Sequence, residues 1–595
     1  MLEHLVRYAE RKGLGDDPCF EAKPVKWSIA LGNDGSFRGI SPLGNPDDKG
    51  WKGKPFPKAP RTPGGELQAG GKSHFLSETA ETVLLLSPEK PKPNKTLEET
   101  KASIKEKHAY FAKLIEDAHK SGVRILAPVV HFMSDNKSIE AAKQEIARTK
   151  KFKPTDTLTF DIGGKSVMEM DNWHSFWRKK RDMPQNKKQP GGHLMPCLAT
   201  GEMVTPLATH DVIKGVFGAD KKGAKLIAFD KIAFRSYGLK QSENAPVSAR
   251  AESRYRAALN DLVKNSFPLV YPKKGKGGIQ LIYWTRDENK ADPVDLVKNG
   301  EEATFDFFDG DPELQRGGLL AALKAFHKGD YRPQGYESNQ FYGCSLNGNG
   351  KGPLVVRDWW ETSLTNVLQN VIEWFNDLEI ANCRAPKFGA LLYALVREDL
   401  KKELSTHIPI QLMRSALHGL PLPRAVLGKA LHRHNIDLMR EGEVRIERVA
   451  LIKAFLNRVR KESDPAMTTE LSKNETDHAY RCGRLLAVFE KIQRASRPDL
   501  NAGLVQRYYG AASSTPALVM PRLFKLSKHH LATLAGGLAE YFQKQIEEIT
   551  DIKKMGTTFK RTLTLEEQGR FALGYYHQRA QRKDNDTPDI QQNIQ

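Results

Sequence analysis

His210 and Asp211 stand side by side, a pairing that metal-dependent phosphohydrolases use to hold a cation. Such chemistry needs further His and Asp ligands, because one imidazole and one carboxylate leave most of a coordination sphere open. No convincing set follows downstream. His193, Cys197 and His210 could gather round a metal, but their spacing matches no standard zinc module. Gly70-Gly71-Lys72-Ser73 invites a phosphate-loop reading, in which glycine amides cradle a phosphate and the lysine reaches over it. The required spacing puts Glu66, not glycine, at the first position, with Gly65 one place off, and no apolar strand leads in. The pairs His432/His434 and His529-His530 lie in helical patterns beside Lys and Arg, where a solvated or backbone-binding face is the simpler account. There is no GxSxG, and none of the cysteines (Cys19, Cys197, Cys344, Cys383, Cys482) has a local catalytic signature or a CxxC partner. Neither a metal nor a cofactor is expected.

Charge points elsewhere. The formal net charge is +20 at pH 7, and the excess is clustered. A protein with that balance attracts polyanions, of which nucleic acid is the commonest in a cytoplasm. The richest cluster is GNPDDKGWKGKPFPKAPRTPGGELQAGGKSH, residues 44–74, where glycine and proline exclude helix and strand through most of the length. Lys52, Lys54, Lys58 and Arg61 on such a backbone can follow phosphates, while Gln68, Lys72 and His74 can reach base edges. A solvated, disordered insertion is the competing account of the same stretch. A second basic turn, KKGKGG, brings Lys273, Lys274 and Lys276 together and is expected to meet a nucleic-acid backbone.

The elements that must position these groups are legible in the apolar spacing. Phe341–Leu378 reads as a seam: a Gly/Asn-rich turn, a short strand at Leu354–Val356, then a helix with Leu364, Val367, Leu368, Val371, Ile372 and Phe375 on one stripe. Before it, an amphipathic N-terminal helix uses Leu2, Leu5, Val6 and Ala9. Lys26–Leu31, GNDG and Phe37–Ile40 make a hairpin, and Thr96-x-x-Glu99 caps a helix. Val123–Phe132, Leu158–Ile162, KLIAFD and Ile279–Trp284 read as strands, and Ser248 as the N-cap of a helix buried along Tyr255, Ala258, Leu259, Leu262 and Val263. After the seam nearly everything is helical, with Gly536-Gly537 as a break and Thr564 as a late cap. The expected fold is therefore α+β: a mixed region of short strands and hairpins over residues 1–380, a helical connection over 381–466 and a helical bundle over 467–595. No apolar run is long enough to span a bilayer and the first helix is no signal peptide, so the cytoplasm is the default location.

CLATGE, KLIAFDKIAFRSYGLKQSENAPVSARAESRYRAALNDLV, SLNGNGKGPLVVRDWWE and AYRCGRLLAVFEKIQ…YYGAASSTPALVMPRLFKLSKHHL, in that order, resemble the large subunit of the type I-C CRISPR Cascade surveillance complex. Lys351-Gly352 departs from the resemblance where a tighter turn is expected. The resemblance implies a non-catalytic protein that recognises the PAM in target double-stranded DNA and holds the foot of a crRNA complex. Its implied partners are the backbone and guide-processing subunits and a helicase-nuclease, with guide pairing reading the sequence. It also implies that the C-terminal region is made separately as a small subunit; Met467, after a charged, proline-containing linker, is the expected internal start. Arg484, Lys491, Arg494, Arg507, Lys525 and Lys528 are expected outside that bundle, facing a single-stranded backbone. A metal-dependent nuclease built on His210-Asp211 is the alternative.

Overall fold

The computed structural model describes the chain apart from residues 64–65, 68–69, 88–90, 92–95, 183–193, 230, 273–276, 289–291, 300–337, 382, 384, 397–406, 462–463, 500–502, 552–557 and 582–595. As the sequence predicts, strands and hairpins come first and a helical region follows. Two compact units result. One comprises Met1–Ser266, Tyr271–Ile282 and Cys344–Trp359; the other comprises Phe267–Val270, Tyr283–Gly343 and Trp360–Gln595.

The first unit contains helices α1 (Leu2–Arg11), α2 (Leu97–Lys120), α3 (Ala127–Ser134), α4 (Asn136–Arg148), α5 (His174–Asp182) and α6 (Ala249–Lys264). Strands β2 (Trp27–Leu31) and β3 (Phe37–Pro42) form the expected hairpin, with Gly35 supplying φ +84° in its turn. β2 pairs in parallel with β6 (Thr157–Ile162), which pairs antiparallel with β5 (Glu78–Thr79) and with the short β7 (Lys165–Ser166). The parallel register sets Trp27 beside Leu158, Ile29 beside Phe160 and Leu31 beside Ile162. All six are buried, together with Phe111 and Ile115 of α2 and Val129 and Phe132 of α3. Each such side chain contributes about 1.5–3 kcal/mol by leaving water. Trp27 Nε1 and Lys26 Nζ both donate to Asp156, at 3.2 and 2.8 Å, which fixes the start of β6 against β2. The Thr96 capping box and the Ser248 cap are both formed.

A separate ladder joins β1 (Phe20–Val25) to β4 (Lys54–Pro60), antiparallel. The chain can enter β4 only through a glycine. Gly53 has φ +88°, and a Cβ there would lie 2.0 Å from the Val25 carbonyl oxygen. The two-residue strands β8 (Met195–Pro196) and β9 (Met203–Val204) pair with each other. Two expected strands are absent. Val123–Phe132 is a 3-10 turn at Arg124–Leu126 running into α3, where Pro128 takes the first turn of a helix. A short apolar run carries no periodicity of its own, so helix and strand read alike there. KLIAFD is irregular over its described residues, just after Gly223 at φ +100°.

The chain continues through β10 (Phe267–Val270), β11 (Ile279–Thr285), β12 (Gln340–Asn347) and β13 (Val355–Ser363). β13 extends well beyond the expected Leu354–Val356, and the division between the units falls inside it, at Trp359/Trp360.

The second unit is helical: α7 (Leu364–Leu378), α8 (Phe388–Ala394), α9 (His407–His418), α10 (Arg424–Glu441), α11 (Ile446–Val459), α12 (His478–Ser496), α13 (Leu504–Ser514), α14 (Pro516–Leu531), α15 (Gly536–Ile549) and α16 (Leu565–Ala580). The predicted stripe of α7 is buried in full. The break at Gly536-Gly537 and the Thr564 capping box are where the sequence puts them. One buried cluster comes almost wholly from beyond Met467, with Leu438 of α10 and half-buried Val444 completing it. Tyr541 of α15 is exposed, beside buried Phe542.

α12 is the axis of this unit, since every residue from Ala479 to Glu490 is buried. It meets α16 backbone to backbone. A Cβ on Gly483 would lie 2.0 Å from the Phe571 carbonyl oxygen, and one on Gly574 would lie 2.0 Å from that of Tyr480. The two glycines are reciprocal, each opening room for the other helix. On its far side α16 packs on α10 and α11, where Gly569 faces Leu427, Ile452 and Leu456.

Candidate nucleic-acid interface

In the first unit the basic stretch is more ordered than its composition predicts, because residues 54–60 are β4. Pro55 and Pro57 are tolerated in a ladder of only two strands, where each strand keeps a free edge. Phe56 and Ala59 are buried and Lys54 and Lys58 exposed, a pattern without strict alternation where the register against β1 shifts, and Lys52 is exposed just before them. Lys54 Nζ pairs with Glu169 at 2.5 Å, both side chains about half exposed. A pair so open to water is worth about 0–1 kcal/mol, so it does not hold Lys54 back from a phosphate.

Arg61 departs from expectation. It is 6 % exposed, and its Nη2 donates to Asp211 at 2.6 Å and Glu252 at 3.1 Å. Burial opposes its charge, but Glu252 and Asp211 outweigh burial and raise its pKa. The two carboxylates require this guanidinium, so Arg61 is a structural ion-pair partner and not a phosphate contact.

Lys72 lies 3.6 Å from Glu66, which also accepts from Arg181 at 2.8 Å. Gln68 lies outside the described residues. His74 donates its backbone N–H to Glu78 at 2.9 Å. Burial, reinforced by Lys23, Lys214 and Lys107, pushes its imidazole down to about 3, so the ring is uncharged near neutrality. Its Nδ1 has no hydrogen-bond partner among the described residues. Lys23 is itself a buried amine whose pKa burial lowers; its Nζ donates to the Ser77 carbonyl at 3.1 Å. The imidazole is neutral, and the positive field of Lys23, Lys214 and Lys107 reaches it. Ammonium groups hold phosphate oxygens, and a neutral imidazole can both donate to and accept from a base edge. Sequence reasoning singles out Lys72 and His74 and not Lys23, Lys107 and Lys214, whose charges act on His74. They come from β1, α2 and the turn after Ile213, and nothing in their local spacing joins them.

The His210-Asp211 pair is committed to the fold. His210 is buried, its Nδ1 2.5 Å from the Tyr255 hydroxyl, and burial followed by Lys225 lowers its pKa to about 4. Asp211 holds Arg61. Among the described residues no group of three or more His, Cys, Asp or Glu could hold a metal ion. Cys197 is buried, and His193 lies outside the described residues. His434, read as part of a solvated face, is instead buried, its Nε2 3.0 Å from the Tyr509 hydroxyl.

In the second unit, Arg484 also corrects the expectation. Because α12 is covered all round, Arg484 is buried, its Nε donating to Gln578 at 2.9 Å and its Nη2 to Glu548 at 2.8 Å. Lys491 is half-buried and donates to the Gln578 carbonyl at 2.7 Å. Arg494 is exposed and pairs with Glu490 at 2.6 Å. Arg507, Lys525 and Lys528 are exposed. On α14 the exposed positions Arg522, Lys525, Lys528 and His529 recur at helical spacing, opposite buried Val519, Met520 and Leu523. Arg522, which sequence reasoning passed over, lies 5.6 Å from the Tyr508 ring centre. This is a cationic stripe on a rigid helix. Lys273, Lys274 and Lys276 lie outside the described residues.

No helix among the described residues is long and apolar enough to cross a membrane. No curated protein matches the chain. A protein-family match covers residues 5–583, nearly the whole chain and both units. On that match, the chain belongs to the CRISPR-associated protein family Cas_Csd1.

Proposed function

We propose that this chain is the non-catalytic large subunit of a type I-C Cascade surveillance complex. It binds the PAM in duplex DNA, anchors the crRNA-bearing assembly and presents the target to a helicase-nuclease. The family match over residues 5–583 carries the reading, and the exposed lysines of the first unit support it. Lys52, Lys54 and Lys58 serve phosphates. Lys72 and His74, with Lys107 and Lys214, serve the groove, and Gln68 belongs with them on sequence grounds. The stripe Arg507, Lys525 and Lys528, extended by Arg522, follows a single strand.

The test is PAM-dependent duplex binding by the assembled complex. Replacing a phosphate-binding lysine weakens all duplexes alike, whereas replacing His74 or Lys72 changes PAM preference. Intact PAM preference in a folded Lys72→Ala, His74→Ala double variant would refute the assignment.

Met467 begins a second, shorter product that serves as the small subunit. In support, one buried cluster of the second unit lies almost wholly beyond it. Changing Met467 to a non-initiating leucine codon removes that product. Its persistence, or its absence from the wild type, defeats the proposal.

A further inference from the structure

KIAFRSYGLKQSEN, residues 231–244, has no part in the interface above. Residues 231–238 are all exposed, with Ile232 at 78 % and Tyr237 at 100 %. One bare apolar side chain is ordinary; Ile232, Phe234 and Tyr237 together on one element are not.

The element is fastened at its base. Asn244 Nδ2 donates to the carbonyls of Phe234 at 2.8 Å and Gln241 at 2.9 Å. Ser242 Oγ donates to the Ala208 carbonyl at 3.0 Å, and the Lys240 N–H to Glu243 at 2.6 Å. The Phe229 and Phe234 rings meet edge-on at 5.3 Å. Between these ties Tyr237 sits at φ +58°, ψ +21°, and Gln241 at φ +48°. That left-handed conformation suits glycine and is uncommon for other residues. A tyrosine therefore occupies a glycine-like position while its side chain is fully exposed.

The charges match a polyanion. Lys231, Arg235 and Lys240 are exposed, without a carboxylate partner among the described residues. Glu243, the carboxylate of this stretch, is turned onto the Lys240 N–H.

We infer that Lys231–Gln241 is a preset stacking arm for unpaired DNA bases, with Tyr237 against a base and Lys231, Arg235 and Lys240 against the adjoining phosphates. Aromatic faces interleaved with cations are how single strands are held without sequence preference, and a preset loop has less freedom to lose on binding. The inference rests on the reading above, under which guide pairing leaves one strand of the target unpaired and this protein holds that strand.

The experiment uses the full chain with an oligo(dT) carrying 2-aminopurine, the matching oligoribonucleotide and a PAM-bearing duplex. Wild type binds the oligo(dT) and quenches its fluorescence. Tyr237→Ala weakens that binding about five-fold or more and abolishes the quenching, while Tyr237→Phe keeps both. Tyr237→Gly loses binding as the alanine variant does but unfolds no earlier than wild type, because the backbone is relieved. Arg235→Ala lowers the salt slope by about 0.7. Duplex binding is unchanged throughout. Unaltered oligo(dT) binding by Tyr237→Ala, or no binding by wild type, overturns the inference. So does a loss confined to RNA, or a variant impaired only in assembling with partner proteins. Failure of wild type to discriminate PAM-bearing duplexes would instead sink the functional reading, whatever the oligo(dT) result.

Discussion

Replacing Gly483 with alanine should destabilise the crossing of α12 and α16, although alanine is the better helix former. Two effects compete. Helix propensity favours alanine over glycine by about 1 kcal/mol. Against it, the new Cβ would stand 2.0 Å from the Phe571 carbonyl oxygen and 2.8 Å from the Tyr575 nitrogen, distances that real Cβ atoms essentially never show. The obstacle is helix backbone and cannot rotate away, so the helices must part by about 1 Å, loosening packing along their length. Overpacking a close-packed interior costs about 1–3 kcal/mol, and an unyielding neighbour puts this site at the upper end. The net expectation is a loss of about 2 kcal/mol, near a thirty-fold shift in the opening equilibrium. Because a chain with two units need not unfold in one step, the assay is native-state hydrogen exchange of peptides from α12 and α16. Their slowest amides should exchange about thirty-fold faster in Gly483→Ala. Gly574→Ala should act similarly, and the double variant should cost less than the sum because both strain one crossing. Gly428 is the control: a Cβ there meets only Leu565 Cδ2, at 4.0 Å, so alanine should be neutral or stabilising. Exchange in Gly483→Ala as slow as in wild type would refute the reasoning.

Arg61→Ala should cost about 3–5 kcal/mol, read as a lower unfolding midpoint, because Asp211 and the buried Glu252 lose the cation they share, although Glu252 keeps Arg256. Lys58→Ala should leave stability alone and lower the duplex salt slope by about 0.9; the opposite pattern would exchange their roles. The folded His74 and His434 titrate at about 3, below the ordinary 6.5, so the unfolded chain binds more protons between those values. Their contribution to stability is complete above about 6.5 and is lost as pH falls toward 3, and His434→Gln should flatten that part of a pH–stability curve. For the same reason His74 should impose no pH dependence on duplex binding between pH 7 and 8, which titrations at fixed salt can check. Purified chain should show no metal-dependent nuclease or ATPase turnover; activity abolished by His210→Ala or Lys72→Ala would overturn this.

What the sequence made legible was whatever rests on local periodicity and capping. The stripe of α7, the Thr96 and Thr564 boxes and the Gly536 break each depend on residues within a turn or two. Val123–Phe132 escaped because a ten-residue apolar run fits either period, and only Pro128 told against a strand. Basic side chains were harder still. Arg61 and Arg484 look on paper like the exposed Lys58 and Arg494. Yet Arg61 is claimed by Asp211 and Glu252, far along the chain, and Arg484 by Glu548 and Gln578. Composition locates a charge; only the fold says whether it faces water. The lysines around His74 show the converse, a cluster assembled from β1, α2 and a distant turn.

The contact between α12 and α16 also has a consequence in time. Residues 497–564 are translated between the two helices, which at roughly 5–20 residues per second is an interval of several seconds. Throughout it the groove at Gly483 stands open, while α13, α14 and α15, which also pack on α12, emerge one after another. A helix buried from Ala479 to Glu490 in the finished protein is thus the part most in need of a chaperone on the ribosome.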